Sequence, residues 1–382
     1  MGSIVMLFYG LEDYQESAGA HAPSLHCLSQ RNIKVKIDAC FLLNPYVTDV
    51  VIRWLKKRLK QSGIFEKAIS VYPAQNSDLA IKISKIINVD KNCILVGNGS
   101  IEIIQSLMQN VVEGKTVINI PTFSTYYESI KNEADVVFYK LKKENNFQLE
   151  IEKYLEFIKF NDVKNAIIIN PNNPDGSYLQ YNQLDYLLNK LSNLKNIIID
   201  ESFIHFVKED KNYRLVNYYK LFEKYKNLII IKSLSKDYGI PGLRLGYAVM
   251  DDKILQSILK KDFLWNINGF AEIFIDLLGD DEFQKEYERQ RIRYIKEIER
   301  FYNKLKTIGK LKVFPTKANF VLVELPGNYT SGEVANLLLL KYGIYVRDCS
   351  NKIGLDGNFL RIGVRKKKDN DYIINCLKEI IN

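Results

Sequence analysis

The chain has 382 residues, of which 47% are apolar and 26% charged, a balance that excludes general disorder and gives enough length for two domains. No stretch approaches the ~18 consecutive apolar residues of a membrane span and the N-terminus lacks a basic, apolar, small-residue cleavage pattern, so no membrane association and a cytoplasmic location are expected. The formal charge of +9 comes from lysines scattered among Glu and Asp, which argues against nucleic acid as a partner and suits a small anionic substrate.

Five cysteines, Cys27, Cys40, Cys93, Cys349 and Cys376, are odd in number and without a Cys-x-x-Cys pair, so they are expected as reduced thiols, with neither disulfides nor a metal site. His21, Ser24 and His26 in the N-terminal arm are expected as free surface residues, the alternative being that they line the substrate entrance.

The middle of the sequence alternates short β-rich runs with amphipathic stretches, the pattern of strands joined by helices in a mostly parallel sheet. Ala166 to Ile169, Ile197 to Ile199 and Leu228 to Ile231 are apolar throughout, as strands buried on both faces require. Gln183 to Leu194 carries Leu184, Leu187, Leu188 and Leu191 at helical spacing. Beyond Lys261 the pattern predicts a long charged helix over 281–305, strands at 312–314 and 319–323, and a helix over 331–342. The compact basic run Lys366 to Lys368 is expected as the solvated start of a helix. The expected organisation is α/β: an N-terminal arm (1–45) contributing to a small α+β domain, a large domain (46–264), and the rest of the small domain (265–382).

Each buried run is followed by a chemically pointed segment: Asn170-Pro171-Asn172-Asn173-Pro174-Asp175-Gly176, Asp200-Glu201-Ser202, and Ser233-Leu234-Ser235-Lys236. Ligands of open parallel sheets bind beyond the carboxyl ends of the strands, so all three are expected to face one crevice. Asn173 precedes Asp200 by 27 residues and Asp200 precedes Lys236 by 36, each about one strand-helix unit of roughly 30 residues. Lys236 is one of 54 basic residues and by itself means little. Its setting between Ser233, Ser235, Gly239, Gly242 and Arg244 offers hydroxyls and a guanidinium suited to a phosphate dianion. Asp200 ends an apolar strand, where a carboxylate needs a cation or hydrogen bonds. Taken alone, it equally caps a following helix.

At these residues the chain resembles the fold-type I pyridoxal-phosphate superfamily, the class I and II aminotransferases, in the branch of histidinol-phosphate aminotransferase and threonine-phosphate decarboxylase. The resemblance covers most of the chain and rests on Ser-Leu-Ser-Lys…Gly-x-Arg-x-Gly-Tyr and Asn-Pro-Asn-Asn-Pro-x-Gly. It implies pyridoxal 5'-phosphate as cofactor. Lys236 is then its Schiff-base anchor and proton shuttle, Asp200 the partner of the ring nitrogen and Asn173 that of the ring hydroxyl, with Ser233, Ser235 and Arg244 around the phosphate. Gly97-Asn98-Gly99-Ser100 resembles the family's phosphate turn at a helix start, though an ordinary loop reads the same way. Phe123 matches the aromatic that stacks on the ring, and Tyr72 the tyrosine that reaches the neighbouring subunit's cofactor, which implies a homodimer with shared sites; either is equally compatible with plain core. Arg361 matches the arginine that grips the substrate carboxylate, its alternative being a salt bridge on an edge strand.

Two positions depart from the histidinol-phosphate pattern. Asp175 stands where the family has Thr, and Phe203 where those aminotransferases carry a Tyr. Phenylalanine cannot donate that tyrosine's hydrogen bond, and with Arg347-Asp348-Cys349-Ser350-Asn351 it resembles the decarboxylase. The decarboxylase's N-terminal His-Gly-Gly-Asn has only a distant echo here, in Gly19-Ala20-His21-Ala22. Decarboxylation of phosphoserine or threonine phosphate is therefore expected, with glutamate-dependent transamination of a small phosphorylated substrate as the alternative. The bond held perpendicular to the cofactor ring is the one that breaks, and the sequence does not fix that angle.

Overall fold

The computed structural model describes residues 21–208, 221–261 and 265–381; Gly19 and Ala20 of the N-terminal echo lie outside them. The strands are β1 (Ile37–Asp38), β2 (Ile94–Gly97), β3 (Thr116–Ile120), β4 (Val136–Lys140), β5 (Asn165–Ile169), β6 (Asn196–Asp200), β7 (Leu228–Ser233), β8 (Gly246–Val249), β9 (Lys312–Val313), β10 (Phe320–Glu324), β11 (Ile344–Tyr345), β12 (Arg347–Asp348) and β13 (Phe359–Gly363).

The isoleucine runs at 165–169, 196–200 and 228–233 are buried along their whole length, because β-branched side chains pack on both faces of the sheet. They occupy its middle, in the order β2-β8-β7-β6-β5-β3-β4. β8 pairs antiparallel with β2 and β7, while β7, β6, β5, β3 and β4 run parallel. Helices cover both faces, and two apolar cores lie above and below the sheet. Each isoleucine buried there contributes on the order of 2 kcal/mol.

The second sheet, β12-β13-β10-β9, is antiparallel and has its own core. β1 pairs in parallel with β11, Ile37 opposite Ile344, which ties the N-terminal segment to the C-terminal one. The helix Asp281–Leu305, capped by Asp280 through the Glu282 and Phe283 N–H groups, serves both bodies. Phe283 and Tyr287 enter the core of the large sheet, and Tyr294, Ile298, Phe301 and Leu305 that of the small one. Helix Gly269–Leu278 also packs in the large core, and we propose that the two domains meet along the long helix that follows it.

Helix Ser331–Tyr342 spans the expected residues, fixed by a Thr330/Glu333 capping box and by Gly343 at φ +72°. The helix expected over 183–194 instead covers Tyr181–Lys190. It starts earlier because Gln180 and Gln183 form a capping box, and it ends at Leu191, whose side chain stays buried beyond the last turn. No described helix is long and apolar enough to cross a membrane.

Candidate functional site

Topology gathers the chemistry. Asp200 is the last residue of β6 and pairs in register with Ile169 of β5 and Ile231 of β7, so Asn173, Asp200 and Lys236 all lie just past neighbouring strand ends. β8 runs back along β7 with Gly246 opposite Ser233, which sets Arg244 at the same edge. β2 ends opposite Gly246 as well and delivers the Gly97–Ser100 turn there. One cavity is lined by Ser100, Phe123, Asn173, Asp200, Phe203, Ser233, Ser235, Lys236, Arg244 and Arg361, joined by His21, Ser202, Arg347 and Lys352.

Asp200 is 4% exposed. Its Oδ2 accepts a 2.9 Å bond from the Tyr126 hydroxyl and its Oδ1 a 2.8 Å bond from the Ser202 N–H. Burial raises its pKa, and these two bonds only partly oppose the rise. Across the cavity, burial and the nearby Arg361 and Arg244 push the Lys236 ammonium down to about 8, with Asp200 pulling the other way. The Asn44 N–H donates to the Lys236 carbonyl at 2.8 Å, while the Asn44 side chain caps helix Pro45–Leu59. Lys236 is thus braced by the N-terminal segment.

The Arg244 guanidinium lies against Gly99, which has φ +78°; a Cβ at Gly99 would collide with it. Helix Ser100–Asn110 begins there, so a hydroxyl, a guanidinium and helix N–H groups share one corner. The Ser235 Oγ is buried without a hydrogen-bond partner among the described residues.

On the small-domain side, Arg361 donates from Nη1 to Asn173 Oδ1 and from Nη2 to the Cys40 carbonyl, both at 2.7 Å. Its Nε is buried without a partner, and its guanidinium carbon lies 5.5 Å from the centre of the Phe320 ring. β13 is interior to its sheet, between β12 and β10, so the edge-strand salt bridge is not what Arg361 forms. Phe203 meets Phe320 edge-on with ring centres 5.2 Å apart. It therefore presents only carbon to the cavity.

Two expected residues stand differently. Tyr72 is 80% exposed and rests on Trp265 with ring centres 5.3 Å apart, outside this cavity. Asp175 is buried inside its own turn, bonded to Asn172 and to the Ser177 N–H, and burial pushes it up to about 6.

Sequence reasoning did not single out Tyr126, three residues past Phe123, or Lys352, and it named Arg347 only as part of the segment that resembles the decarboxylase, without a role in the cavity. Arg347 is the cross-strand partner of Arg361 and donates to Asn351 Oδ1 at 2.7 Å. Four positions before Lys236, a lysine in an apolar run could have been noticed: Lys232, in Leu228-Ile229-Ile230-Ile231-Lys232-Ser233, is 0% exposed. It lies 3.5 Å from Asp237, which also pairs with His205 and accepts from the Tyr287 hydroxyl at 3.3 Å.

The comparisons with known proteins agree with this architecture. The model of aminotransferase class I and II matches residues 43–377. An L-serine phosphate decarboxylase of Campylobacter jejuni is 44% identical over 97% of this chain and 95% of its own length. Another, from Sulfurospirillum multivorans, is 40% identical over 96% and 94%. The solved structure of a decarboxylase from Sulfurospirillum multivorans superposes with a TM-score of 0.91 at 38% identity, covering 99% of both chains. With a matching family model over most of its length and a central sheet of the same plan, the chain belongs to the class I and II aminotransferase family, of the pyridoxal-phosphate fold-type I.

Proposed function

We propose that this protein is a pyridoxal-phosphate-dependent carboxy-lyase that converts O-phospho-L-serine, or L-threonine phosphate, to carbon dioxide and the amino-alcohol phosphate. The observation that carries the reading is the crowding of Arg347, Lys352 and Arg361 into the cavity that also holds Lys236 and Arg244. A substrate with both a carboxylate and a phosphate requires that surplus of cations beyond those taken by a cofactor phosphate. The whole-length relatives named L-serine phosphate decarboxylase support the same substrate.

The residues present fit the cofactor. Ser235 has a buried hydroxyl without a partner, and Gly99 leaves the space in which Arg244 sits. Asp200 is a buried carboxylate that, among the described residues, lacks a cation in direct contact, as the partner of a pyridinium N–H would. Ser100, Ser233, Ser235 and Arg244 hold the phosphate in this reading, Asn173 the ring hydroxyl, Phe123 a ring face, and Lys236 the covalent link. When bound, pyridoxal phosphate supplies a sink for the electrons released at the substrate α-carbon.

The chain's own groups do the rest. Tyr126 and Ser202 keep Asp200 aimed at one point, so its charge remains where a ring N–H needs it. Arg361, anchored on Asn173 and Cys40, is a planar donor with Nε still free for the substrate carboxylate. Loss of carbon dioxide leaves the α-carbon in need of a proton, and Lys236 Nζ delivers it. Phe203, set edge-on against Phe320, walls this space with carbon.

The test is to incubate holoenzyme with O-phospho-L-serine and L-threonine phosphate and measure carbon dioxide and amino-alcohol phosphate. Release from either is expected. No release from both, together with conversion of the cofactor to its amine form by glutamate, would establish the aminotransferase instead.

A homodimer completes the proposal. Tyr72 stands in an exposed apolar patch with Phe65, Ile69, Val71 and Trp265, the kind of surface that a second copy covers. Sedimentation is expected at about twice the 44.4 kDa chain mass for the wild type. Ile69→Glu is expected to shift it to monomer and to weaken cofactor retention about tenfold or more, because Tyr72 then no longer reaches a neighbouring site. The five thiols, none of them in a disulfide, suit a reducing compartment, and we place the enzyme in the cytoplasm on that ground.

A further inference from the structure

We propose that Lys352 is the specificity-determining residue for a phosphate dianion on the substrate side chain, distinguishing it from a sulfate monoanion or a bare hydroxyl. The proposal rests on the substrate reading above and deepens it.

Lys352 lies in the loop between β12 and β13 and lines the cavity, yet is only 8% exposed. Among the described residues no carboxylate pairs with its Nζ, whereas the buried cations Lys232 and Arg365 have Asp237 and Asp38. A long ammonium side chain buried without a counter-ion costs several kcal/mol unless a ligand supplies the anion. The loop is rigid where it matters. Lys352 closes a turn, with its N–H on the Cys349 carbonyl and its own carbonyl accepting from Leu355 at 3.0 and 3.1 Å. Two residues on, Gly354 has φ +91° and packs so closely on the large domain that a Cβ would come within 2.9 Å of the Pro121 nitrogen. Lys352 is therefore held against the turn that carries Phe123, at the seam between the two domains.

The groups around it explain what it selects. Arg347 and Arg361 approach from β12 and β13, Cys349 from the same loop, and Glu128 from helix Thr125–Glu128, where it is tied to His21. Burial first, then Arg347, push the Lys352 ammonium down to about 8. Two arginines already balance a carboxylate and a singly charged ester. A phosphate monoester at neutral pH brings one further negative charge, and the ammonium that lacks a counter-ion is the group left to meet it. A compact, rotatable ammonium also suits a tetrahedral oxygen cluster better than a third planar fork does.

The experiment uses holoenzyme and the Lys352→Met and Lys352→Arg variants, with O-phospho-L-serine and O-sulfo-L-serine as substrates and inorganic phosphate as a binding probe. Lys352→Met is expected to raise KM for the phosphate ester about 10- to 100-fold, with kcat within about threefold and KM for the sulfate ester nearly unchanged; Lys352→Arg should restore most of the loss. Calorimetry of phosphate binding near pH 8, in buffers of different ionisation enthalpy, should show proton uptake by the wild type and none by Lys352→Met. Equal losses for both esters, or phosphate binding and proton uptake unaltered by Lys352→Met, would overturn the proposal. The calorimetric arm needs no turnover, so it tests Lys352 even if neither phospho-amino acid releases carbon dioxide, an outcome that counts against the decarboxylase reading alone.

Discussion

Lys236→Ala is expected to lower kcat/KM for carbon dioxide release by about 10⁴-fold or more and to yield protein without the absorbance of a covalently held cofactor. The size of the effect follows from the lysine's surroundings. An ordinary lysine, with a pKa of about 10.4, is almost wholly protonated and unreactive near neutral pH. Burial and the nearby Arg361 and Arg244 bring Lys236 to about 8, so a useful fraction of the amine is neutral near pH 7. The direction is checkable without turnover. Below about 8 the amine is mainly charged, so the rate at which stripped protein recaptures added cofactor should climb with pH and level off just above that value. A climb that continues past about pH 10, as for a free lysine, would show that the cationic surroundings do not act on Lys236. Arg361→Met, by removing one of those cations, should move the levelling point upward.

Much of this site could be read in the sequence because of where parallel sheets keep their chemistry. Isoleucine runs that are buried on both faces are conspicuous, and the first polar residues after them fall at the carboxyl edge. Asn173, Asp200 and Lys236 were placed that way, each on its own strand end, and the cavity does bring them together. Lys352 left no such trace. It is one of 54 basic residues, on a loop whose shape depends on Gly354 docking against Pro121, a contact between positions more than two hundred residues apart. The surroundings of Arg361 were hidden for a related reason. β12 is two residues long, too short to show a period, yet its pairing makes β13 an interior strand and brings Arg347 beside Arg361. Tyr126 was hidden in plain view: its place three residues from Phe123 could be read, but its bond to Asp200 depends on a non-local approach of two strand ends. The end of helix Tyr181–Lys190 shows the opposite failure, since Leu191 and Leu194 continue the apolar spacing after the backbone has turned away.

Asp237→Ala is expected to destabilise the holoenzyme by about 3–5 kcal/mol, because it leaves Lys232 as an unpaired charge in a fully apolar strand. Lys232 has few other partners. Among the described residues its Nζ reaches only the Glu201 carbonyl, at 3.4 Å, besides Asp237. Burial alone would raise the Asp237 carboxyl, but Lys232 and His205 outweigh it and hold the group below its ordinary range; burial and Lys232 likewise hold His205 below its own. Both folded-state values are lowered, so the unfolded chain takes up protons before the folded one does. The stability these groups contribute is complete above the ordinary histidine value of about 6.5, declines as the unfolded histidine gains its proton below that, and declines again below about 4, where the unfolded aspartate does. Removing both charges should behave differently from removing one. Lys232→Met combined with Asp237→Leu replaces the pair with apolar volume, and such replacements are close to neutral or stabilising. Urea denaturation of the single and double variants checks this: a midpoint far below wild type for Asp237→Ala that returns most of the way in the double variant, at unchanged slope, is the expected pattern. A double variant as unstable as the single one would mean that Asp237 stabilises the turn carrying Lys236 through His205 and Tyr287 rather than by neutralising Lys232.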